Sequence, residues 1–389
     1  MNFELSPKQK NVVENILDWY KSKRSPYITL GGYAGTGKTT LLGHLNNTLH
    51  KEYKKISIAY CSFTGKASIV LKKKLEETKS LSPSDYVGTI HRLIYKAIVD
   101  EDDNIIGWDK IAIDSFEYDL IIVDEASMVS EEIWNDLLSF HKPILAVGDH
   151  GQLPPVEGRF NLMASPMLRL EEIYRQEQGN PIILVSEMAR KYGEIPVMDF
   201  SPFVKKLNRN GEDVQEFLSE KLSSYDRDMM VLVGYNHTRE KLNVGIRQYL
   251  EFDSPTPQVE DRVICLRNNA ELGIFNGMLG TLHSIKRRSF DDVIYFYDVS
   301  IQFDGEDHLF EGNASVEQFG MKDTIKNISR DMNLFDFGYA LTVHKAQGSQ
   351  AEKVILFEER FSKMSDDMWR RWLYTGVTRA VSELYIIGD

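Results

Sequence analysis

The chain has 389 residues, too many for one hydrophobic core and suited to two principal domains with small insertions. Its composition, 42% apolar and 27% charged, is that of an ordinary globular protein; no apolar run approaches the ~20 residues of a membrane span, and no signal-peptide core opens the chain. The formal net charge of −12 argues against non-specific binding to duplex nucleic acid, while leaving room for a narrow basic channel inside an acidic shell.

Two well-separated cysteines, Cys61 and Cys265, set no disulfide framework, so a reduced cytoplasmic setting is expected. From the N-terminus, Ser6-Pro7-Lys8-Gln9 precedes Val12, Val13, Ile16, Leu17 and Tyr20 on one helical face. Ser6 as N-cap, with Gln9 reaching back, predicts a capping box.

Tyr27–Leu30 reads as a strand, and Gly32–Thr39 (GYAGTGKT) comes directly after it and before a helix-forming LLGHL. This is a phosphate loop in the context such a loop requires. Its glycines let backbone N–H groups close on phosphate oxygens at a helix N-terminus. Lys38 is placed to reach β- and γ-phosphates and the Thr39 hydroxyl to ligate Mg²⁺, which implies a nucleoside triphosphate such as ATP.

Short, continuously apolar runs recur at Ile56–Cys61, Leu120–Val123, Ile144–Val147, Met229–Val233, Val354–Phe357 and Leu384–Ile387. Apolarity on both faces predicts parallel strands covered by helices, hence an α/β fold of two stacked domains. Leu93–Ser115 carries an Asp-Asp-Asn turn between two strand-like arms and predicts a protruding hairpin, with Trp108 near its tip. From about Thr281 to Asp336 the pattern alternates, predicting a small antiparallel β insertion. No internal repeat is visible.

The strand Leu120–Val123 runs into Asp124-Glu125, a carboxylate pair able to hold Mg²⁺ and to polarise an attacking water. The next strand runs into Gly148-Asp149, with the Gln152 amide three residues on and Pro154-Pro155 stiffening the backbone beyond it. Arg175 in LEEIYRQ and Arg379 in LYTGVTRA lie far from the loop in sequence, as arginines supplied from another domain would.

The ordered set GYAGTGKT, SFTGKAS, TIHR, LIIVDEASM, GDHGQLPPV, LEEIYRQ, FNGMLGTL, YALTVHKAQGSQ and LYTGVTRA resembles the motif series of the superfamily 1 DNA helicases. It is most similar to their RecD-like branch, which includes small phage enzymes. The resemblance implies two RecA-like P-loop domains, the first over 1–92 and 116–170 and the second over 171–280 and 337–389. A pin hairpin (93–115) would be inserted in the first and an SH3-like, barrel-like β module (281–336) in the second. It implies an ATP- and Mg²⁺-dependent translocase on single-stranded and forked duplex DNA. Movement would be 5′ to 3′, by a monomer working beside replication or repair proteins.

By the same resemblance Lys38, Asp124, Glu125, Gln152, Arg175 and Arg379 carry the hydrolysis. Gln9, Gly32, Gly35, Thr36, Gly37, Thr39, Thr40 and Gly348 line the nucleotide, and Thr39 and Asp124 hold the metal. Gln9 would read adenine, alongside its capping role. Implied DNA contacts are Thr64, Lys66, His91, Trp108, Pro154, Asn276, Thr342, His344 and Lys345. Plainer structural roles stand beside these: Thr64 and Thr342 as helix caps, His91 as a core residue, Trp108 as packing for the hairpin. Gln350 departs from the pattern, where the family often has Glu.

Overall fold

The computed structural model describes residues 5–99, 105–154, 160–172, 179–267, 269, 272–274, 276–290, 293–304, 306, 309–325, 329 and 332–389. The chain forms two compact units, Met1–Ile183 and Leu184–Asp389, a division later in the chain than the expected 170/171.

In unit 1, α1 (Pro7–Ser22) starts with the expected capping box: Ser6 Oγ accepts from Gln9 N, and Gln9 Oε1 accepts from Ser6 N. It leads through β1 (Tyr27–Gly32) to α2 (Lys38–Glu52), β2 (Ile58–Ser62), α3 (Gly65–Glu77), β3 (Tyr86–Thr89) and the short α4 (Ile90–Ile94). The hairpin β4 (Tyr95–Val99) and β5 (Ile105–Lys110) pairs antiparallel, and Trp108 stands opposite Ala97, within the arm rather than at the turn. Then come β6 (Leu120–Asp124), α5 (Glu131–Leu138), β7 (Ile144–Gly148) and β8 (Leu168–Leu170).

The six strands β3-β2-β6-β7-β1-β8 are all parallel. Val12, Ile16, Leu41, Leu45, Ile58, Tyr60, Leu120 and Ile122 fill one side of the sheet, and Ile121, Val123, Ile133, Trp134 and Ala146 the other. Burial on both faces is why these strands read as unbroken apolar runs.

The segment α6 (Pro181–Tyr192) spans the boundary in sequence. Unit 2 then runs through β9 (Asp199–Ser201), β10 (Val204–Asn208), α7 (Val214–Ser223), β11 (Met229–Val233) and α8 (Asn236–Tyr249). The antiparallel strands β12 (Arg262–Cys265), β13 (Leu279–Phe290), β14 (Val293–Phe303), β15 (Leu309–Ser315) and β16 (Phe335–Phe337) come next. The chain closes with β17 (Ala340–Thr342), β18 (Ala351–Phe357), α9 (Asp366–Val377) and β19 (Ala380–Gly388).

The main sheet is β17-β11-β18-β19-β10-β9, parallel except for the edge pair β10·β9. The insertion is a five-stranded sheet in the order β15-β14-β13-β12-β16, and it begins at Arg262. Val263, Ile264 and Cys265 are consecutively apolar and the whole of β12 is buried, so alternation alone marks only the later strands.

No repeat is visible in the sequence, yet the topology repeats, as two RecA-like domains would. Taken in chain order, β1, β2, β3, β6 and β7 of unit 1 occupy the same sheet positions as β10, β11, β17, β18 and β19 of unit 2. Different helices cover the two sheets, and only short stretches keep a matching pattern, which is too little to stand out in sequence.

The insertion is tied to unit 2 by a buried ion pair. Arg247 on α8 donates to Asp261 through Nε (2.8 Å) and Nη2 (3.0 Å) and to the carbonyls of Ser254 and Thr256. Its guanidinium lies 4.2 Å from the Phe337 ring centroid, and Tyr339 Oη donates to Asp261 at 2.8 Å. With both partners buried, Asp261→Ala leaves an uncompensated guanidinium, and unit 2 should lose about 3–5 kcal/mol of stability. Urea denaturation followed by Trp fluorescence measures this; a loss under about 1 kcal/mol would mean the pair is not the tie.

Candidate active site

The phosphate loop leaves β1 and turns sharply into α2. Gly35 (φ +75°) and Gly37 (φ +77°) adopt left-handed backbone that a side chain would resist. Gly37 is the N-cap of α2 and offers no side-chain acceptor, so the first N–H groups of the helix have none from their cap. A Cβ on Gly32 would come within 2.7 Å of Thr36 Oγ1, so the loop closes too tightly there for any side chain.

Lys38 Nζ donates to the carbonyls of Gly32 (2.7 Å) and Tyr33 (3.1 Å), inside the loop itself. Thr36 is buried; its hydroxyl donates to Tyr33 O (2.8 Å), and its carbonyl accepts from Gln9 Nε2 (3.1 Å). Gln9 thus uses its oxygen for the helix cap and its nitrogen to brace the loop. Thr39 and Thr40 stand half-buried in the first turn of α2.

Asp124 ends β6 beside Ser62, its neighbour in register on β2. Burial, and then the adjacent Glu125 carboxylate, push the Asp124 carboxyl up to about 6. Glu125 sits at φ +53°, an uncommon conformation for a residue with a side chain, and donates its N–H to Asp124 Oδ1 at 3.0 Å. The buried hydroxyls of Ser62 and Ser127, on either side of the acid pair in sequence, have no hydrogen-bond partner among the described residues. An uncapped helix start, a lysine, a threonine hydroxyl, a carboxylate pair and unmatched hydroxyls are donors and acceptors that fit a nucleoside triphosphate with Mg²⁺ held partly through water.

In the adjoining loop Asp149 is buried and accepts from Gly151 N (2.9 Å) and from Gln152 Nε2 (3.4 Å). Gln152 is itself buried, and Pro154 half-buried. His150 packs its ring on Tyr33 of the phosphate loop, with centroids 4.1 Å apart. Arg175 lies outside the described residues.

In unit 2 the Arg379 guanidinium is buried, donating to Thr375 O (3.0 Å), Ser349 O (3.1 Å) and Thr378 Oγ1 (3.2 Å). Gly348 (φ +73°) makes the turn that presents the Ser349 carbonyl, and Gln350 is exposed.

Within each unit, most of the residues implied for DNA lie at or just beyond the ends of parallel strands; Trp108 and Asn276 lie instead in antiparallel parts. Thr64 caps α3 by accepting from Ala67 N (3.3 Å), as expected; Thr342 Oγ1 accepts from Lys345 N (3.4 Å) but pins a turn after β17, where no helix begins, so its expected helix-capping role is corrected. Lys66 lies in the first turn of α3, its side chain outside the described set, as is that of Trp108. His91 lies between the rings of Phe63 and Tyr95, and burial lowers its pKa as it does that of His344. Burial, and then Arg239, lower the pKa of Lys345 against the opposing pull of Asp336 and Asp323. Asn276 is exposed in the turn before β13.

The AAA domain family matches residues 4–200, and the UvrD-like helicase C-terminal domain matches 337–387. The chain belongs to the superfamily 1 helicases of the RecD/Pif1/Dda type. It is 27% identical to the ATP-dependent RecD2 DNA helicase of Deinococcus radiodurans over 93% of its own length, spanning 47% of that protein. It is 22% identical to the ATP-dependent DNA helicase Dda of Enterobacteria phage T4, covering 99% of both chains. Among solved structures, the Bacteroides Pif1 helicase in complex with ADP-AlF3 and single-stranded DNA has the same fold. The TM-score is 0.57 at 17% identity, over 99% of this chain and 92% of that one. The two parallel sheets are therefore RecA-like.

For this RecD/Pif1/Dda-type chain, motif reading alone passes over Tyr33, Ser62, Ser127 and His150. All four sit inside quoted motifs, but their packing against the loop or the acid pair is invisible without the sheet register.

The raised carboxyl of Asp124 makes the nucleotide-free protein sensitive to pH. Its folded pKa, about 6, exceeds the ordinary carboxylate value, so the folded state holds the proton longer than the unfolded chain. The associated stability is fully present below about pH 4 and is lost as pH rises through 6. Asp124→Asn should therefore raise stability by on the order of 1–2 kcal/mol at pH 8 relative to pH 4.5. Denaturation curves of both proteins at the two pH values check this, and an equal effect at both would contradict the assignment.

Proposed function

We propose that this chain is an ATP- and Mg²⁺-dependent single-stranded DNA translocase and helicase, moving 5′ to 3′ as a monomer on single strands and forked duplexes. The observation that carries the reading is the tight glycine loop with an uncapped helix start, facing a strand that ends in Asp124-Glu125 within one parallel sheet. The relatives support the substrate: Dda and RecD2 are ATP-dependent DNA helicases, and the Dda match runs the full length of both proteins. The Pif1 structures, with single-stranded and forked DNA, point the same way.

In this reading the α2 N–H groups and Lys38 bind the triphosphate, and Thr39 and Asp124 hold the metal. Mg²⁺, when bound, neutralises charge on the β- and γ-phosphates. Glu125 takes the proton of the attacking water, and Gln152 orients around the terminal phosphate. Arg379 of unit 2, with Arg175, supplies positive charge to the developing transition state. Gln9 contacts adenine by exchanging its bond to the loop, and Gly348 lies against the nucleotide. ATP-driven opening and closing of the two RecA-like units alternates the grip of Thr64, Lys66, His91 and Pro154 with that of Asn276, Thr342, His344 and Lys345. Trp108 on the hairpin stacks at the fork, a contact worth ~1–3 kcal/mol against ~1.4 kcal/mol for a duplex step.

Unwinding assays with 5′-tailed and 3′-tailed duplexes, with and without ATP, test the reading. Strand separation should occur with the 5′ tail and ATP only, and Lys38→Ala should abolish both it and DNA-stimulated hydrolysis. Unwinding from the 3′ tail would reverse the polarity, and hydrolysis that survives Lys38→Ala would displace the site. Arg379→Ala should cut turnover by about 10³ while nucleotide affinity is largely kept. Trp108→Ala should reduce unwinding but spare hydrolysis on single strands; equal loss of both would reject the wedge.

A further inference from the structure

We infer that the ring contact between Tyr33 and His150 is the mechanical link through which the phosphate loop sets the Gln152–Pro154 loop, making His150 a positioning residue for coupling nucleotide to DNA. The inference rests on the helicase function proposed for this chain and assigns a role to two side chains that this function leaves idle.

Tyr33 is the residue on which the loop's hydrogen bonds converge. Its carbonyl accepts from Lys38 Nζ (3.1 Å), Thr36 Oγ1 (2.8 Å) and Thr36 N (3.3 Å). The ammonium that would engage a triphosphate is thus shared between the carbonyls of Gly32 (2.7 Å) and Tyr33 (3.1 Å). When phosphate oxygens take Lys38 instead, the Tyr33 peptide loses a charge-assisted bond and its backbone is released to turn.

The Tyr33 ring carries that change outward. It lies on His150 at 4.1 Å between centroids and 40° between planes. His150 has little freedom to absorb the motion. A Cβ on Gly31 would stand 2.7 Å from His150 Nδ1, so the imidazole is packed directly on the β1 backbone. Burial lowers its pKa, and Asp149, Arg169, Glu171 and Lys38 act on it as well. The ring therefore packs as a neutral plane at neutral pH.

Behind His150 the loop is stiff. Asp149 accepts from Gly151 N (2.9 Å) and Gln152 Nε2 (3.4 Å), and Gln152 N donates to Asp149 O (3.3 Å). Leu153 is fully buried, and Pro154 has a fixed backbone torsion. A displacement imposed on His150 is passed to Gln152 and Pro154 rather than dissipated. The path is contiguous: Lys38, the Tyr33 carbonyl, the Tyr33 ring, His150, then the loop.

The test measures affinity for a fluorescein-labelled thymidine oligonucleotide by anisotropy, with and without a non-hydrolysable ATP analogue, beside DNA-stimulated turnover. His150→Ala should shrink the nucleotide-dependent change in DNA affinity by about two- to tenfold, the size of one aromatic contact, while affinity for a fluorescent nucleotide is held within about twofold. His150→Phe keeps a ring and should restore the change. Tyr33→Leu should mimic His150→Ala, and the double variant should lose no more than either single one. Tyr33→Leu also probes the contact from the other side should His150→Ala fail to fold. An unaltered ratio in His150→Ala, or additive loss in the double variant, would overturn the link. Absence of any nucleotide-dependent DNA affinity or DNA-stimulated turnover in the wild-type protein would instead bring down the helicase function itself.

Discussion

One helix of unit 1 starts without an acceptor on its cap, and the active site is organised around that deficit. Ser6, Thr64, Thr89 and Ser130 each cap a unit 1 helix with a hydroxyl, whereas α2 begins at Gly37, which has no side chain to give. The first N–H groups of α2 and the positive end of its dipole are left for an anion. Holding such an end in place needs rigidity from elsewhere. It comes from β1, buried between β7 and β8, and from Gln9, whose amide spans the start of α1 and the carbonyl of Thr36.

The repeated topology puts a second acid pair at the corresponding position of unit 2. Asp124-Glu125 leaves β6, and Glu358-Glu359 leaves β18, the equivalent strand of unit 2. In unit 2 both carboxylates are consumed by structure. Glu358 pairs with buried Lys206 at 2.6 Å, and Glu359 accepts from Gly234 N, Tyr235 N and Thr238 Oγ1 at the start of α8. Glu359 thus serves the helix end that its cap residue, Tyr235, leaves without a side-chain acceptor. Burial raises the pKa of both Asp124 and Glu358, but only Glu358 has a lysine bonded to it; at Asp124 the neighbouring Glu125 carboxylate adds to the rise.

Much of this is legible in the sequence, for identifiable reasons. Strands buried on both faces announce themselves as apolar runs, and Ser6 through Gln9 spells out its cap. The glycine spacing of the loop has few other uses. What stays hidden depends on register and on contacts distant in sequence. The start of the β insertion is obscured because Arg262–Cys265 is covered on both sides like a core strand. Gln9 bonding to Thr36 joins residues that no local pattern connects. The duplication is masked because its shared features are topological, with side-chain likeness confined to a few residues.

The clearest of those few argues for how an acidic chain could hold an acidic polymer. Thr89-Ile90-His91-Arg92 leads out of β3, and Thr342-Val343-His344-Lys345 leads out of β17, the equivalent strand. Each threonine hydroxyl accepts from the N–H three residues on, each neighbouring aliphatic residue is fully buried, and each histidine has its pKa lowered by burial. A neutral imidazole beside a pinned turn can offer a hydrogen bond to a phosphate oxygen without adding a fixed charge. Two such imidazoles, one per unit, would hold a phosphate without displacing a counterion of their own, so salt dependence would come from the neighbouring cations alone. The net charge of −12 would then be no obstacle: it would discourage non-specific capture of duplex while a few residues at strand ends, Lys66 and Lys345 among them, held the single strand.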